Sequence, residues 1–424
     1  MTKTNKIVFG IDLGANYSCS GKTEFISGKY ACILSKAGEQ IPSVVKVKED
    51  GFEVGESAKL NSTSCIYESK RLLGKEFNDE DVQNDIKNGF YGFDLIKGDH
   101  DEIIIKFTYS KKVGRKRVVE FKEIKPYEVS SEILKYIKNT ICNEFGIDNG
   151  NIDAVITVPA NFNSKQIEET IKAAKLVGIN VINLLNEPTA AAIAYAFYDD
   201  KLKEDGIILL FDLGGGTFDC TIMKINSNNG KPIYEVLTSI GNNHLGGVDI
   251  DNAIYKYVLN ELKENYKDIY EEYFGDGKIN NNINKLKINA ERAKIDFSID
   301  RKGYCSLNGI YKDEDGSTIE NEIPKELWDK TVKVIVNKCK ELVNTALEES
   351  KLIASDLNQV IMIGGSCQIK DVSDTMEEMF GDDKIVNNKI VGRQHAVTIG
   401  VSIDAFVRAN NMDVYSIEKK GSSK

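Results

Sequence analysis

The chain has 424 residues, 41% hydrophobic and 28% charged, with Lys plus Arg at 55, Asp plus Glu at 65 and a formal net charge of -10. That length calls for roughly two to three domain-sized units; the six prolines exclude a proline-rich linker protein, and the apolar fraction excludes general disorder. The acidic balance gives no bias toward nucleic acid or anionic membranes, and no run of apolar residues is long enough to span a bilayer.

The opening, MTKTNKIVFGIDLG, passes from a short polar leader straight into an apolar strand. It lacks the apolar region and small-residue cleavage site of a signal peptide, so a cytoplasmic protein is expected, with the nucleus also open. The strand ends on Asp12-Leu13-Gly14. Residues 41–47 and 103–109 read as strands, and the basic run Lys111–Arg117 is expected on a hairpin face. Residues 128–145 form a helix pattern through Val129, Ile133, Ile137 and Ile141. Ile152–Val158 is a β-rich run, Lys165–Val177 a helix, and Glu187–Ala196 an Ala-rich helix with Pro188 at an early position. This alternation predicts an α/β fold.

Residues 207–220, IILLFDLGGGTFDC, then repeat the plan of residues 7–19, IVFGIDLGANYSC. Each has an apolar strand, Asp-Leu-Gly, small residues and an aromatic. Similarity at so long a separation suggests two related lobes, not a solenoid. Beyond it come a helix over Asp249–Glu264 and a basic, amide-rich helix over Ile283–Phe297, with Asn280–Asn284 as a solvated loop or fraying start. A strand-rich, Gly-punctuated stretch at 303–323, a helix at 325–349 and a strand at Val360–Ile363 follow. The cysteines, at 19, 32, 65, 142, 220, 305, 339 and 367, never pair at C-x-x-C spacing, and the three histidines lie far apart. Metal knuckle and redox motif both fail, leaving small side chains in a reducing compartment.

Four Gly-rich turns carry the chemistry: Gly14, Gly214–Gly216, Gly246-Gly247 and Gly364-Gly365. Backbone N–H groups converge in such turns because no Cβ obstructs them, and they can cradle phosphate. None fits GxxxxGK[ST], and the first is not GxGxxG, which disfavours a P-loop ATPase and a dinucleotide dehydrogenase. Asp12 and Asp212 each end an apolar strand. Two carboxylates facing one polyphosphate would repel it without a cation, and Mg²⁺ suits that place. Asp219 and Glu187 could complete an acidic shell. The alternative is that each Asp only caps a turn.

The combination resembles the heat-shock 70 (Hsp70) chaperone family, in its actin-like ATPase domain, over nearly the whole chain. The motifs are IDLGANYS, SKRLLGK, VPANF, NEPTAAAIAY, DLGGGTFD, GNNHLGGVDID, AERAK and IGGS. The resemblance implies an α/β fold of duplicated, ribonuclease H-like lobes around a nucleotide cleft. Lobe I would take residues 1–201, with core 1–40 and 126–201 and outer subdomain 41–125. Lobe II would take 202–411, with core 202–241 and 325–411 and outer subdomain 242–324; residues 412–424 would be a degenerate linker or tail. It also implies ATP or ADP, Mg²⁺ and K⁺.

The same resemblance assigns Asp12 and Asp212 to a hydrated Mg²⁺, and Glu187 and Asp219 to its outer shell and to water placement. Lys70 matches the lysine that positions the attacking water and steadies the γ-phosphate, a role that suits a compact cation on a flexible stem. Gly14, Asn16, Tyr17 and Gly214, Gly215, Gly216 and Thr217 match phosphate-loop positions, Thr217 counting among the catalytic groups. Gly246, Gly247, Glu291, Lys294, Ser298, Gly364, Gly365 and Ser366 match positions around phosphates, ribose and adenine.

This chain also departs from the family. Two threonines usual after Asp-Leu-Gly are Ala15 and Asn16, which removes a hydroxyl near the γ-phosphate; one such donor is worth a factor of about 10²–10³ in rate. Two arginines that sandwich adenine are Ile295 and Gln368, without their cation–π contribution of about 0.5–2 kcal/mol. Charged positions that bear on J-domain partners are Ile167, Asn183 and Ser164, and two acidic residues near the end are Gln394 and His395. The family's linker and peptide-binding β-domain would follow; residues 412–418, MDVYSIE, are expected as a degenerate linker and KKGSSK as an unstructured tail.

The expected function is an ATP-binding, slowly hydrolysing domain acting as a nucleotide-controlled switch, a weak ATPase. Its partners would be ATP, an exchange factor, a J-domain protein or a peptide-binding domain, with no nucleic acid or membrane. The alternative is a non-hydrolysing co-chaperone or exchange factor of the same fold. A metabolite kinase and a filament-forming actin relative fit the motifs less well.

Overall fold

The computed structural model describes residues 7–418 except 27–28, 61–64, 88, 114–115, 149, 199–201, 203, 230, 276–278 and 387–390. KKGSSK lies outside the described residues. The chain divides into two compact units: Met1–Ile41, Leu134–Leu245 and Val336–Lys424 form the first, Pro42–Ile133 and Gly246–Ile335 the second.

The first unit holds two sheets of one plan. In one, the strand Val8–Asp12 lies between an antiparallel partner, Tyr17–Ile26, and a parallel one, Ile152–Val158. Lys29–Leu34 extends it on one side and Ile179–Asn186 on the other. In the second, Gly206–Leu213 lies between antiparallel Phe218–Asn228 and parallel Gln359–Ile363, and Lys231–Asn242 follows. Both sheets thus set a three-stranded antiparallel meander beside a parallel strand. The central strands are apolar on both faces because both faces are covered: Phe9, Ile11, Leu209, Leu210 and Phe211 are at most 1% exposed.

Two helices cover that core. Glu187–Tyr198 is buried almost all round, which its run of alanines permits, and Ala396–Ala409 shares its cluster with Ile193, Ile399 and Ile403. The helix Ser164–Leu176 opens with a reciprocal cap: the Asn163 side chain accepts from the Gln166 N–H at 3.0 Å, and the Gln166 side chain accepts from the Asn163 N–H at 2.9 Å.

In the second unit, Lys116–Ile124, Ile103–Val113 and Asp94–Lys97 form a three-stranded sheet, and Gly51–Val54, Val45–Lys48 and Cys65–Ile66 another. The described residues of the basic run, 111–113 and 116–117, do fall on the two paired strands of the first sheet, where Lys111 faces Glu49 and Glu120; residues 114–115 lie outside the described residues. The helices Gly247–Asn265 and Ile279–Asp300 pack together, and Phe297 stacks on Trp328 at 4.5 Å.

Three local expectations change. Asn284 is neither loop nor fraying end: it lies inside a helix and is 5% exposed, against the glycine at 92. The stretch 303–323 holds only two three-residue strands, Tyr304–Ser306 and Glu320–Glu322; between them the chain is irregular and turns at Asp313, whose carboxylate accepts from the Asp315 and Ser317 N–H groups. Ser416–Glu418, in the expected linker, forms a strand parallel to Ile233–Glu235. Tyr415 anchors it, donating to Asp404 at 2.5 Å and meeting Tyr234 edge-on at 6.0 Å.

Candidate functional site: carboxylates at the ends of two strands

Asp12 is the last residue of its strand, and both its oxygens are held. Thr157, on the parallel strand, donates to Oδ1 at 3.1 Å; Thr398, on the first turn of Ala396–Ala409, donates to Oδ2 at 3.3 Å. Both threonines are fully buried, so the two hydroxyls fix the plane of the carboxylate. Across the antiparallel pair stands Cys19. Burial, and then the nearby Asp12 charge, push its thiol up to about 12.

Asp212 occupies the matching place in the second sheet. Its antiparallel partner is Asp219 and its parallel neighbour Ile363. Beyond the strand the chain turns through Gly214–Thr217, with the Gly214 N–H bonded to the Thr217 carbonyl at 3.0 Å. Ser366 donates to the Gly214 carbonyl at 2.7 Å, tying the fourth Gly-rich turn, Gly364-Gly365, to the second. Gly364 has φ +88°, and a Cβ there would lie 2.3 Å from the Leu213 carbonyl oxygen and 2.8 Å from Asp212 Oδ1. A Cβ on Gly215 would lie 2.7 Å from the Asn16 side chain. The turns at Gly14–Tyr17, Gly214–Thr217 and Gly364–Ser366 therefore come together, and their closeness depends on missing side chains.

Glu187 begins its helix, half-buried, directly after the strand Ile179–Asn186. Ala15 and Asn16 form the bend after Gly14, both half-buried, and Gln368 ends the short turn Gly365–Gln368, exposed. These groups fit a metal-bound polyphosphate: hard carboxylate oxygens suit Mg²⁺, and turns whose approach a Cβ would block bring backbone close enough to cradle phosphate.

The remaining expected residues belong to the second unit. Lys70 sits, half-buried, on the short turn Ser69–Leu72. The Gly246 N–H donates to the Asp249 carboxylate at 2.8 Å, capping the helix that Gly247 begins. Lys294 donates to the Gly247 carbonyl at 3.3 Å and pairs with Asp251 at 2.9 Å. Burial pushes the Asp251 carboxyl up to about 6 against the pull of Lys294. Glu291 pairs with Lys59. Ile295 is 48% exposed, and Ser298 donates back to the Ile295 carbonyl at 2.7 Å.

Four residues at these places were not singled out from the sequence: Thr157, Thr398, Asp251 and Lys59. Thr157 looked like one more β-branched strand residue, and Thr398 lies far along the chain in a helix pattern. Only Asp251, inside GGVDID, carried any local signal.

Fold and site together define an α/β protein that gathers Gly-rich turns and paired carboxylates at strand ends, the class built to hold a phosphate chain with its metal. The Hsp70 protein family matches this sequence over residues 8–418, and the chain belongs to that family. It is a nucleotide-binding chaperone domain of a family whose members bind and hydrolyse ATP with Mg²⁺.

Proposed function

We propose that this chain binds Mg·ATP and hydrolyses it slowly, acting as a nucleotide-controlled switch. The observation that carries the reading is the equivalent placement of Asp12 and Asp212 at the ends of two sheets of one plan, with Ser366 linking two Gly-rich turns beside Asp212. The same plan supports reading the two sheets as cores of related lobes, spanning 1–201 and 202–411 as the motifs imply.

In this reading Thr157 and Thr398 orient Asp12, while Asp212 and Asp219, paired across one ladder, present two carboxylates side by side. The turn amides of Gly215–Thr217 hold phosphate oxygens, with the Thr217 hydroxyl among their donors. Glu187 and Asp219 hold the attacking water for the γ-phosphorus, and Lys70 is the cation that the motif SKRLLGK assigns to the negative charge developing in the transfer. Asp12 and Asp212 are the residues that would hold a hydrated Mg²⁺, which with K⁺ would supply charge neutralisation on the phosphate oxygens. Exchange-factor and J-domain partners, typical of the family, belong to this switch.

The test is single-turnover hydrolysis with Lys70→Ala and Asp212→Asn as controls. Turnover above both variants supports the reading. ATP bound tightly with the same background turnover in all three proteins sinks hydrolysis. A second reading, a non-hydrolysing co-chaperone, is favoured by the exposed Ile295 and Gln368 in place of stacking cations. Calorimetry separates it: no heat with ATP or ADP, together with tight binding to another Hsp70 chaperone, selects that role.

A further inference from the structure

Lys70 and Arg71 adjoin in the sequence but meet different environments. They lie on the short 3-10 turn Ser69–Leu72, in which successive side chains point about 120° apart. Ser69 and Leu72, three apart, share the buried face at 2% and 1% exposure. Lys70 is half-buried. Arg71 is turned inward, its side chain 6% exposed, and its Nε donates to Glu68 Oε2 at 2.5 Å, with the Glu68 side chain 3% exposed. The guanidinium carbon also lies 4.8 Å over the Phe90 ring.

This arrangement is unfavourable in three ways at once. Glu68 holds φ 57° and ψ 19°, a left-handed conformation that costs a non-glycine residue of order 1 kcal/mol. Withdrawing the pair from water offsets most of its attraction, so a buried ion pair is weak evidence for stability. Among the described residues, the other carboxylate oxygen, Glu68 Oε1, is shielded from solvent and has no hydrogen-bond partner. Apolar side chains of similar size would hold the turn at less cost. What they would not do is set its orientation: a short, charge-assisted bond at Nε, with the guanidinium plane seated on an aromatic ring, fixes the turn in rotation as well as position.

We propose that Glu68 and Arg71 are positioning residues that hold the Ser69–Leu72 turn in one orientation and so set where the Lys70 ammonium lies during phosphoryl transfer. This rests on the reading of Lys70 as the group that meets the γ-phosphate. Phe90 serves as the seat for Arg71, and its own backbone is fixed: the Phe90 N–H bonds the Asp85 carbonyl at 3.0 Å, and Lys287 donates to the Phe90 carbonyl at 3.4 Å. The clamp thus joins the Lys70 turn to the helix Ile279–Asp300, which also carries Glu291 and Lys294.

The test uses Glu68→Gln, Arg71→Met and the milder Arg71→Lys in the full chain, each checked for wild-type thermal unfolding. In single turnover at saturating Mg·ATP, Glu68→Gln and Arg71→Met are expected to lower the rate about tenfold or more, while ATP affinity by calorimetry stays within about twofold. Arg71→Lys recovers part of the loss. In a Lys70→Ala background neither substitution lowers the residual rate further, because the effect passes through Lys70. A second readout does not need turnover. The rate at which an N-hydroxysuccinimide ester acylates Lys70, followed by mass spectrometry, is expected to fall when Mg·ATP binds the wild type, and to fall less in Glu68→Gln.

Unchanged rates and unchanged protection in both variants overturn the proposal. So does a loss of equal size in the Lys70→Ala background, which makes the pair merely structural. A wild type whose Lys70 is not protected by Mg·ATP, with turnover no faster than Lys70→Ala, overturns the role of Lys70 and the proposal with it.

Discussion

The two carboxylate-bearing strands of the first unit have the same neighbours in the same order, yet their surroundings differ in chemistry. Seven residues after Asp12 the chain places Cys19 opposite it; seven residues after Asp212 it places Asp219. One half presents a single carboxylate beside a thiol that burial keeps neutral. The other presents two carboxylates on one ladder. Asp12 is oriented by two buried threonine hydroxyls, whereas the region of Asp212 is shaped by glycines and by Ser366. The topology fixes where a charge can stand, and single residues decide how many charges stand there. On the proposed reading of a hydrated cation at these strand ends, this asymmetry would divide the labour: the first strand would supply one fixed oxygen pair, and the second the surplus negative charge.

The sharpest attack on this contrast is Cys19→Asp, which gives the first sheet the pair found in the second. Cys19 is 2% exposed, so an uncompensated carboxylate beside Asp12 is expected to cost about 3–5 kcal/mol in urea unfolding, with Cys19→Ala close to wild type. A Cys19→Asp protein within about 1 kcal/mol of wild type would erase the distinction between the halves, since that loss is no larger than an ordinary mutation's.

Next in size is Thr398→Val, which keeps the shape and removes the donor to Asp12. It is expected to lower stability by about 1–3 kcal/mol and to weaken Mg²⁺ binding in the presence of ADP by about 10-fold, read by calorimetry. Thr398→Ser should restore both. An unchanged Mg²⁺ affinity would show that Asp12 keeps its orientation without this bond.

The smallest effect concerns pH. The folded Cys19 thiol is held at about 12 against an ordinary 9.0. Above pH 9 the unfolded chain loses this proton while the folded one keeps it, so stability is full below pH 9 and falls as pH rises toward 12. Cys19→Ala should flatten that alkaline limb, measured by urea midpoints across the range. An identical limb would mean that the thiol does not carry the difference between the halves.

Much of this was legible along the chain. The strand Ile152–Val158 was read to the residue, and the helices at 128–145, 165–177 and 325–349 to within a few positions, because apolar periodicity persists over several turns. Asp12, Asp212 and the Gly-rich turns stood out because a phosphate site needs those residue types locally. Asn284 and the strand at Ser416–Glu418 did not. An asparagine is polar in any local window, and only a neighbouring glycine makes room to bury it; three residues become a strand only when an open edge lies beside them.

By itself, the sequence determined the alternation of strands and helices, the family, and the residues whose chemistry needs no partner to recognise: two strand-end aspartates, the turns that lack side chains, and Lys70. Tertiary structure alone decided what surrounds them. Thr157 and Thr398 reach Asp12 from 145 and 386 positions away, and Asp251 claims Lys294 from 43. A hydroxyl or a carboxylate carries no mark of its partner, because the bond that gives it a role forms only when distant segments are packed to within about 3 Å.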